Sequence, residues 1–229
     1  STYRQSSAVT EEKLKIDPNN KFYSRASRIR LTAEQLRDQA LEVSNVLSKK
    51  MYGPSVMPFQ PEGIWLSPYN GAKWIMSEGE DQYRRAVYTY LKRTAPYPSM
   101  MTFDGSSRES CLPRRIRTNT PLQALTSLND STTLVISRSL AYRMMELGGK
   151  ESNTQISKGY EAMMFKPISA KKLKALSDLY AEALRKYKQD KKAMNQLMGT
   201  KDKPTDPETA SLVVVAGALL NMDEWLNKN

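Results

Sequence analysis

Residues 206–226 read DPETASLVVVAGALLNMDEWL, and this stretch decides the fold class that the sequence predicts. Asp206 is suited to cap the N-terminus of a helix, and Pro207 fits the first turn, where its missing N–H leaves no bond unmade. The apolar run at 212–220 is about half as long as the roughly 20 residues of a transmembrane helix. We therefore expect a helix that begins at Pro207, extends to the end of the stretch and is buried in a protein core.

Further helices with recognisable ends are predicted on the N-terminal side of this stretch. Thr32 and Thr120 each begin a capping box, because Gln35 and Gln123 follow three residues later and can bond back to the threonine. Ser169 is suited to cap another helix. Apolar residues then recur at helical spacing, and we expect helices at 33–49, 120–128, 131–147, 154–165, 169–188 and 190–198.

Two long loops interrupt the helical pattern. Proline and glycine are dense at 52–69, and a second ordered loop is expected at 99–119. Between them, segments 73–76 and 83–91 flank a polar turn, and the second segment is rich in Val, Tyr and Thr. This pattern predicts a β-hairpin, with a helix capped by Asp81 as the alternative. The sequence therefore predicts a mainly α, helical domain with long ordered loops and, if the hairpin forms, one small β element.

Composition excludes several kinds of chemistry. The chain has no histidine, which excludes a Ser–His triad or a histidine–metal site made by this chain alone. Cys111 is the single cysteine, so it has no partner for an internal disulfide, and we expect it to be a small, half-buried and inert residue. The net charge of +11 suits an anionic partner, although lysines that only solvate helix faces would produce the same value.

Several sequence blocks together resemble one known family, the planctomycete-type PSD domain. The longest is the Arg-Thr-Asn-Thr-Pro-Leu-Gln-Ala-Leu block at 117–125, within 114–125. The others occur in the same order at 3–7, 81–85, 88–94, 103–104, 107–109, 128–130 and 218–225. The family is a domain of unknown function, usually at the C-terminal end of large secreted proteins that also carry a cytochrome-c-like domain.

The resemblance has consequences for location, cofactors and organisation. It implies an extracytoplasmic location, in the periplasm, on the outer surface or secreted, and it implies other domains in the same polypeptide. It implies no cofactor in this chain, and it assigns any haem to an absent neighbouring domain. We divide the chain into a family-signature region at 1–149 and a C-terminal helical bundle at 150–229 that packs on it.

The candidate binding site is the arginine-rich approach to the helix that Thr120 caps. A helix N-terminus offers unpaired N–H groups and the positive end of the helix dipole, and arginine adds planar paired donors for carboxylate, sulfate or phosphate. The predicted anion-binding residues are Arg114, Arg115, Arg117, Thr118, Asn119 and Thr120. The alternative is architectural, with the arginines pairing internally with Asp104, Glu109 and Asp130 to order the loop.

A set of carboxylates is the second candidate. Asp81, Asp104, Glu109 and Asp130 are the acids in and beside the signature blocks. Two carboxylates about 5 to 9 Å apart hydrolyse glycosides without histidine, so this is the catalytic scheme that the composition leaves open. Helix capping and surface ion pairs are the competing interpretation of the same four residues.

The functional expectation is a non-catalytic interaction or scaffold module of a secreted or surface protein. It would present a basic surface to an anionic glycan, to a partner protein in a surface complex or to a neighbouring, haem-bearing domain. The alternative is a carboxylate-dependent carbohydrate-active enzyme or an accessory domain of a haem oxidoreductase. Nucleic acid does not suit the implied location. An enzyme needs a pocket with converging acids, whereas a scaffold needs an extended apolar or basic patch.

Overall fold

The fold is mainly α, as predicted, in a computed structural model that describes residues 5–64, 73–93, 96–199 and 205–228. The α-helices in these residues are α1 Glu11–Ile16, α2 Ala33–Val43, α3 Pro98–Thr102, α4 Pro121–Asn129, α5 Ser131–Gly148, α6 Ser152–Met164, α7 Ala170–Gln189, α8 Lys191–Met198, α9 Pro207–Leu220 and α10 Asp223–Leu226. Two short 3-10 helices cover Gly79–Tyr83 and Ala86–Tyr88, and two short strands are β1 Ile29–Arg30 and β2 Asn227–Lys228.

The predicted N-caps Thr32, Thr120 and Ser169 are confirmed. Thr32 and Thr120 both form complete capping boxes, in which the threonine hydroxyl accepts from the N–H of the glutamine and the glutamine side chain accepts from the N–H of the threonine. Ser169 caps α7 by accepting from the N–H of Lys172 at 3.4 Å. These contacts are local, so the residues that make them are readable from the sequence alone.

The helix predicted from 206–226 is the centre of the molecule, but it is divided. Ten of the 14 residues of α9 are buried, and the helix packs against α5 and α7. It ends at Leu220, and the separate turn α10 begins after the extended backbone of Met222. The core around α9 draws on both predicted regions, because Leu41 and α5 of the first region pack against helices of the second. The boundary at 149 remains a prediction.

The predicted β-hairpin is wrong. Residues 73–93 form no strand, and 3-10 turns take the place of the second predicted strand. The segment instead bridges to earlier parts of the chain in parallel, with Arg84 beside Ser48 and Thr89 beside Val56. The two-stranded antiparallel sheet is formed by β1 and β2, with Ile29 opposite Lys228.

Arg84 explains why the alternating pattern was misleading. Its side chain is only 1% exposed, although it is charged. The guanidinium donates to the carbonyl oxygens of Tyr52 at 2.5 Å and Pro54 at 3.3 Å, and it stacks 3.8 Å from the ring centre of Tyr88. Arg84 therefore fastens the loop after residue 50 onto the 3-10 segment.

Two smaller expectations also change. Helix α2 ends at Val43 and not near residue 49, because Asn45 takes a left-handed backbone with φ 58° that a helix cannot continue through. Cys111 is exposed and not half-buried. Within the described residues, no helix is both long enough and apolar enough to span a bilayer.

The C-terminal segment is fixed to the bundle through Glu224. Its carboxylate accepts from the hydroxyl of Tyr160 at 2.6 Å, from Lys166 at 2.7 Å and from Lys172. Burial acts to raise the pKa of Glu224, but the bonds from the two lysines and the tyrosine outweigh it and lower the pKa to about 2. The carboxylate therefore stays ionised and holds α10 against α6 and α7.

Candidate interaction site around helix α4

Gln123, within the sequence block at 117–125, is the centre of a buried polar network. Its side chain is 2% exposed, and it lies on the inner side of α4. The amide oxygen accepts from Arg30 at 2.6 Å, and the amide nitrogen donates to the carbonyl of Thr102 at 3.0 Å and to the hydroxyl of Thr118 at 3.1 Å. One side chain therefore joins β1, α3, the loop at Thr118 and α4.

Asp104 completes this network. Its carboxylate accepts from the N–H of Thr118 at 2.6 Å and from the hydroxyl of the same residue at 2.9 Å, and the amide of Gln123 lies 3.3 Å away. Burial lowers the pKa of Arg30, and the charge of Asp104 acts in the opposite direction. Thr118 and Asp104 are thus both committed to internal bonds.

The three arginines of the predicted site have different surroundings. Arg115 forms an ion pair of 2.7 Å with Glu34 of α2, and this bond raises the pKa of Arg115. Arg117 donates to the backbone oxygen of Arg30. Arg114 is exposed and bonds to no other residue that the structure describes. Arg114 is therefore the one arginine of the three that is not held by a bond within the described part of the chain.

The remaining predicted residues serve the helix start or face solvent. Thr120 caps α4, and its hydroxyl is taken by the N–H of Gln123. Asn119 is exposed. Four of the six residues, Arg115, Arg117, Thr118 and Thr120, use their side chains in bonds within the chain, and whether the six bind an anion remains a prediction.

The outer side of α4 carries a feature that the sequence interpretation missed. Leu122, Leu125 and Leu128 are each more than half exposed, and Ile116 in the preceding loop is 80% exposed. The leucines recur every third residue, so they span about 120° of the helix surface. We call these four side chains the α4 face. The signal was present in the leucine spacing, but that spacing also fits a core stripe, and only the buried Gln123 shows which side faces inward.

The four candidate acids have different surroundings. Asp81 pairs with Lys50 at 3.0 Å, Asp130 caps α5 by accepting from the N–H of Thr133 at 3.1 Å, and Glu109 is exposed. Of the four, only Asp130 lines the apolar cavity of about 90 Å³ beside α2 and α3. Groups of three or more possible metal-ligating acids or cysteines are absent from the described part of the chain.

These observations define a class of structure. It is a mainly helical domain in which a buried Arg–Gln–Asp network lies beneath an exposed surface of arginine and leucine side chains. The chain belongs to the PSD1 family, proteins of unknown function (DUF1553), whose family model matches residues 1–180. The resemblance seen in the sequence is therefore confirmed, although the match stops within α7 and does not include the block at 218–225. No curated protein and no solved structure matches the chain.

Proposed function

We propose that this chain is a non-catalytic interaction module that binds, through the α4 face and Arg114, a partner protein carrying an acidic and apolar segment. The observation that carries the proposal is an exposed row of aliphatic side chains on a helix whose opposite side is fixed by a buried hydrogen-bond network. Contiguous exposed apolar patches on folded domains mark interaction surfaces more often than isolated exposed residues do.

The α4 face has the energetic properties of a docking surface. Burying a leucine or isoleucine side chain contributes about 1.5–3 kcal/mol when it was fully exposed before. Because α4 is already fixed by Gln123 and Thr120, a partner would not have to order the helix on binding. The fixed position of α4 therefore keeps the leucines exposed and also favours the affinity for a partner.

Charge selects an acidic partner over a second copy of this chain. The chain carries a net charge of +11, and Arg114, two residues before Ile116 of the α4 face, forms no ion pair with the acids that the structure describes. Two copies facing each other would bring like charges together, which opposes association. A partner with carboxylates around an apolar stripe complements both the charge and the leucines.

An anionic glycan is a weaker match for this surface. Arg115 is paired with Glu34 and Arg117 with a backbone oxygen, so the arginines do not act together on one sulfate or carboxylate. Exposed leucine side chains also have no polar group for a sugar. No two of the four acids share a bonding partner among the described residues, so the hydrolase alternative gains no support. The extracytoplasmic location and the haem-bearing neighbour remain part of the proposal, on the strength of the family resemblance.

The test measures binding of synthetic helical peptides to the whole chain by fluorescence anisotropy. The probe peptide carries a leucine stripe flanked by glutamates, and the comparison peptides carry lysines in place of the glutamates or serines in place of the leucines. We expect binding of the Leu–Glu peptide alone. The double variant Leu122→Ser with Leu125→Ser and the single variant Arg114→Glu should each weaken it by about tenfold or more.

Matched controls distinguish binding at this surface from nonspecific hydrophobic or electrostatic binding. The double variant Ile16→Ser with Ile75→Ser removes two exposed apolar side chains elsewhere, and Lys171→Glu makes the same charge change on α7. Both should leave peptide affinity unchanged. Equal weakening by the controls, binding of the lysine peptide, or tight binding of a heparin oligosaccharide with no peptide binding would each contradict the proposal.

A further inference from the structure

The apolar cavity beside α2 and α3 is separate from the α4 face. Ser127 lines it, one turn of α4 after the buried Gln123, so the cavity lies on the side of α4 opposite the exposed leucines. Its volume is about 90 Å³, and it is partly open to solvent. An engineered apolar cavity of about 150 Å³ holds benzene. The smaller volume here limits a ligand to about one ring, with part of it in the mouth of the cavity.

Most of the cavity wall is apolar. Leu36 of α2, Met100 of α3, Ile136 of α5 and Trp225 of α10 all line it, and all four side chains are buried. A bound water needs about two to four polar partners, which these side chains do not offer. This part of the cavity therefore suits the hydrocarbon part of a ligand better than it suits water.

One polar atom of the wall lacks a hydrogen-bond partner. The guanidinium of Arg37 donates from a terminal nitrogen to the carbonyl oxygen of Gln82 at 2.7 Å, but its Nε is buried and bonds to nothing in the described residues. A buried N–H without an acceptor is unfavourable, and such atoms are rare in folded proteins. Among the described buried atoms of this kind, Nε of Arg37 is the one that belongs to this wall. A ligand with an acceptor atom would satisfy it.

Asp130 contributes an acceptor to the same wall. Its Oδ1 caps α5 by accepting from the N–H of Thr133 at 3.1 Å, and its Oδ2 bonds to nothing in the described part of the chain. Burial raises the pKa of Tyr97, while the charge of Arg37 acts to lower it and the charge of Asp130 acts to raise it. Both charges therefore lie near Tyr97, which also lines the cavity.

The charges of the wall favour a ligand without a net charge. Of the described residues that line the cavity, Arg37 and Asp130 are the charged ones. A carboxylate that approached Arg37 would be repelled by Asp130, and an ammonium group that approached Asp130 would be repelled by Arg37. A hydroxyl group avoids both repulsions, because its oxygen accepts from one residue while its hydrogen is donated to the other.

We propose that this cavity binds a small neutral alcohol or phenol. The hydroxyl oxygen accepts from Nε of Arg37, the hydroxyl hydrogen is donated to Asp130, and the hydrocarbon part lies among the apolar side chains. A zwitterionic amino acid fits less well, because its ammonium group would bring three N–H donors to one free carboxylate oxygen. The site is independent of the partner-binding surface proposed above.

The experiment titrates the whole chain with small molecules and follows it by ¹H–¹⁵N NMR. The Nε–H of Arg37 reports on the polar end of the cavity, and the indole N–H of Trp225 reports on the apolar part. The probes are phenol and cyclohexanol, with toluene, benzoate, benzylammonium and L-valine as comparisons. We expect saturable shifts of both signals by the two probes, with a Kd of about 1 mM or tighter, and binding of each comparison compound that is weaker by about tenfold or more.

Two pairs of variants locate the site. Ala40→Leu should fill the cavity and weaken phenol binding by about tenfold or more, whereas Ala162→Leu adds the same side chain at a half-buried position of α6 outside the wall and should not. Asp130→Asn keeps a helix-capping residue but leaves the charge of Arg37 uncompensated, so it should strengthen benzoate binding by about tenfold. Asp190→Asn makes the same change at the N-cap of α8 and should leave benzoate binding unchanged.

Several outcomes would overturn the proposal. These are no saturable shift with either probe up to its solubility limit, binding of toluene as tight as that of phenol, and tighter binding of any charged comparison compound. Equal effects of the two leucine variants, or of the two asparagine variants, would place the site elsewhere. The selectivity of the unmodified chain needs no variant, so it decides the matter even if Ala40→Leu fails to fold. Affinity for the Leu–Glu peptide should be unaffected by Asp130→Asn, so the two proposals fail separately.

Discussion

Replacing Gln123 with alanine is expected to destabilise the protein far more than the same change at Gln35. Both glutamines occupy the same position of a complete capping box, one in α4 and the other in α2. Loss of the box is therefore common to both variants and contributes about 0.5–1.5 kcal/mol. The two sites differ in burial, because Gln123 is almost fully enclosed and Gln35 is exposed.

The additional loss at Gln123 comes from its other partners. The bond of 2.6 Å from Arg30 involves a charged donor, and such bonds contribute about 1.5–3 kcal/mol. The carbonyl of Thr102, which accepts at 3.0 Å, would lose its donor in a buried position at a cost of about 1–3 kcal/mol. Water entering the vacated space would restore part of these bonds. We therefore expect a loss of about 3–4 kcal/mol for Gln123→Ala and about 1 kcal/mol for Gln35→Ala.

Thermal unfolding followed by far-UV circular dichroism measures both variants. For a chain of this length, 1 kcal/mol shifts Tm by roughly 2–4 °C, so we expect a decrease of about 6–16 °C for Gln123→Ala and about 2–4 °C for Gln35→Ala. Gln123→Glu is a further check, because it keeps the acceptor for Arg30 but places a second carboxylate beside Asp104. Equal decreases in Tm for the two alanine variants would refute the network argument.

Three further predictions concern packing, pH and reactivity. Gly148→Ala should destabilise the protein more than Gly159→Ala. The new Cβ would lie 2.3 Å from the backbone Cα of Gln155 in the first variant, and 2.5 Å from the flexible side chain of Met144 in the second. Urea unfolding measures the difference in stability. The folded-state pKa of Glu224 is about 2, below its ordinary 4.5, so its contribution is present above pH 4.5 and lost as the pH falls toward 2. Glu224→Gln should therefore lose stability less steeply across this range in acid titrations followed by urea unfolding; an unchanged slope would be evidence against the ion cluster. Cys111 should react with Ellman's reagent in the folded protein about as fast as in urea, and a slow native reaction would show that it is covered.

The sequence predicted the parts of the fold that depend on neighbouring residues. The capping boxes of α2 and α4 involve contacts three residues apart, and both were found as expected. The segment around Arg84 failed because its partners, Tyr52 and Pro54, lie about 30 residues earlier in the chain. Alternation of polar and apolar residues records a periodicity, but it does not record which distant loop covers one of the polar residues.

The candidate sites show the same division between local and distant information. The arginines and Thr118 were identifiable from their position before a helix, but Arg30 reaches Gln123 across 93 residues and could not be assigned to the network. Phe165, at the end of α6, lines a groove together with residues of α2 and of the C-terminal segment, and no sequence pattern relates these parts of the chain. Nothing in the local sequence marks Phe165 as exposed, because an aromatic residue at a helix end usually packs against its neighbours.

The family match and the packed core end at different points of the chain, because helix α9 lies beyond the match. The family match stops at residue 180, yet the most enclosed helix begins at Pro207. An aliphatic core accepts exchanges among Val, Leu, Ile and Ala provided that its total volume is kept. The sequences of relatives can therefore diverge across this helix while the helical bundle is preserved. A chain cut at 180 would expose the apolar faces of α5 and α7, so a shared sequence boundary is no guide to where the polypeptide can be divided.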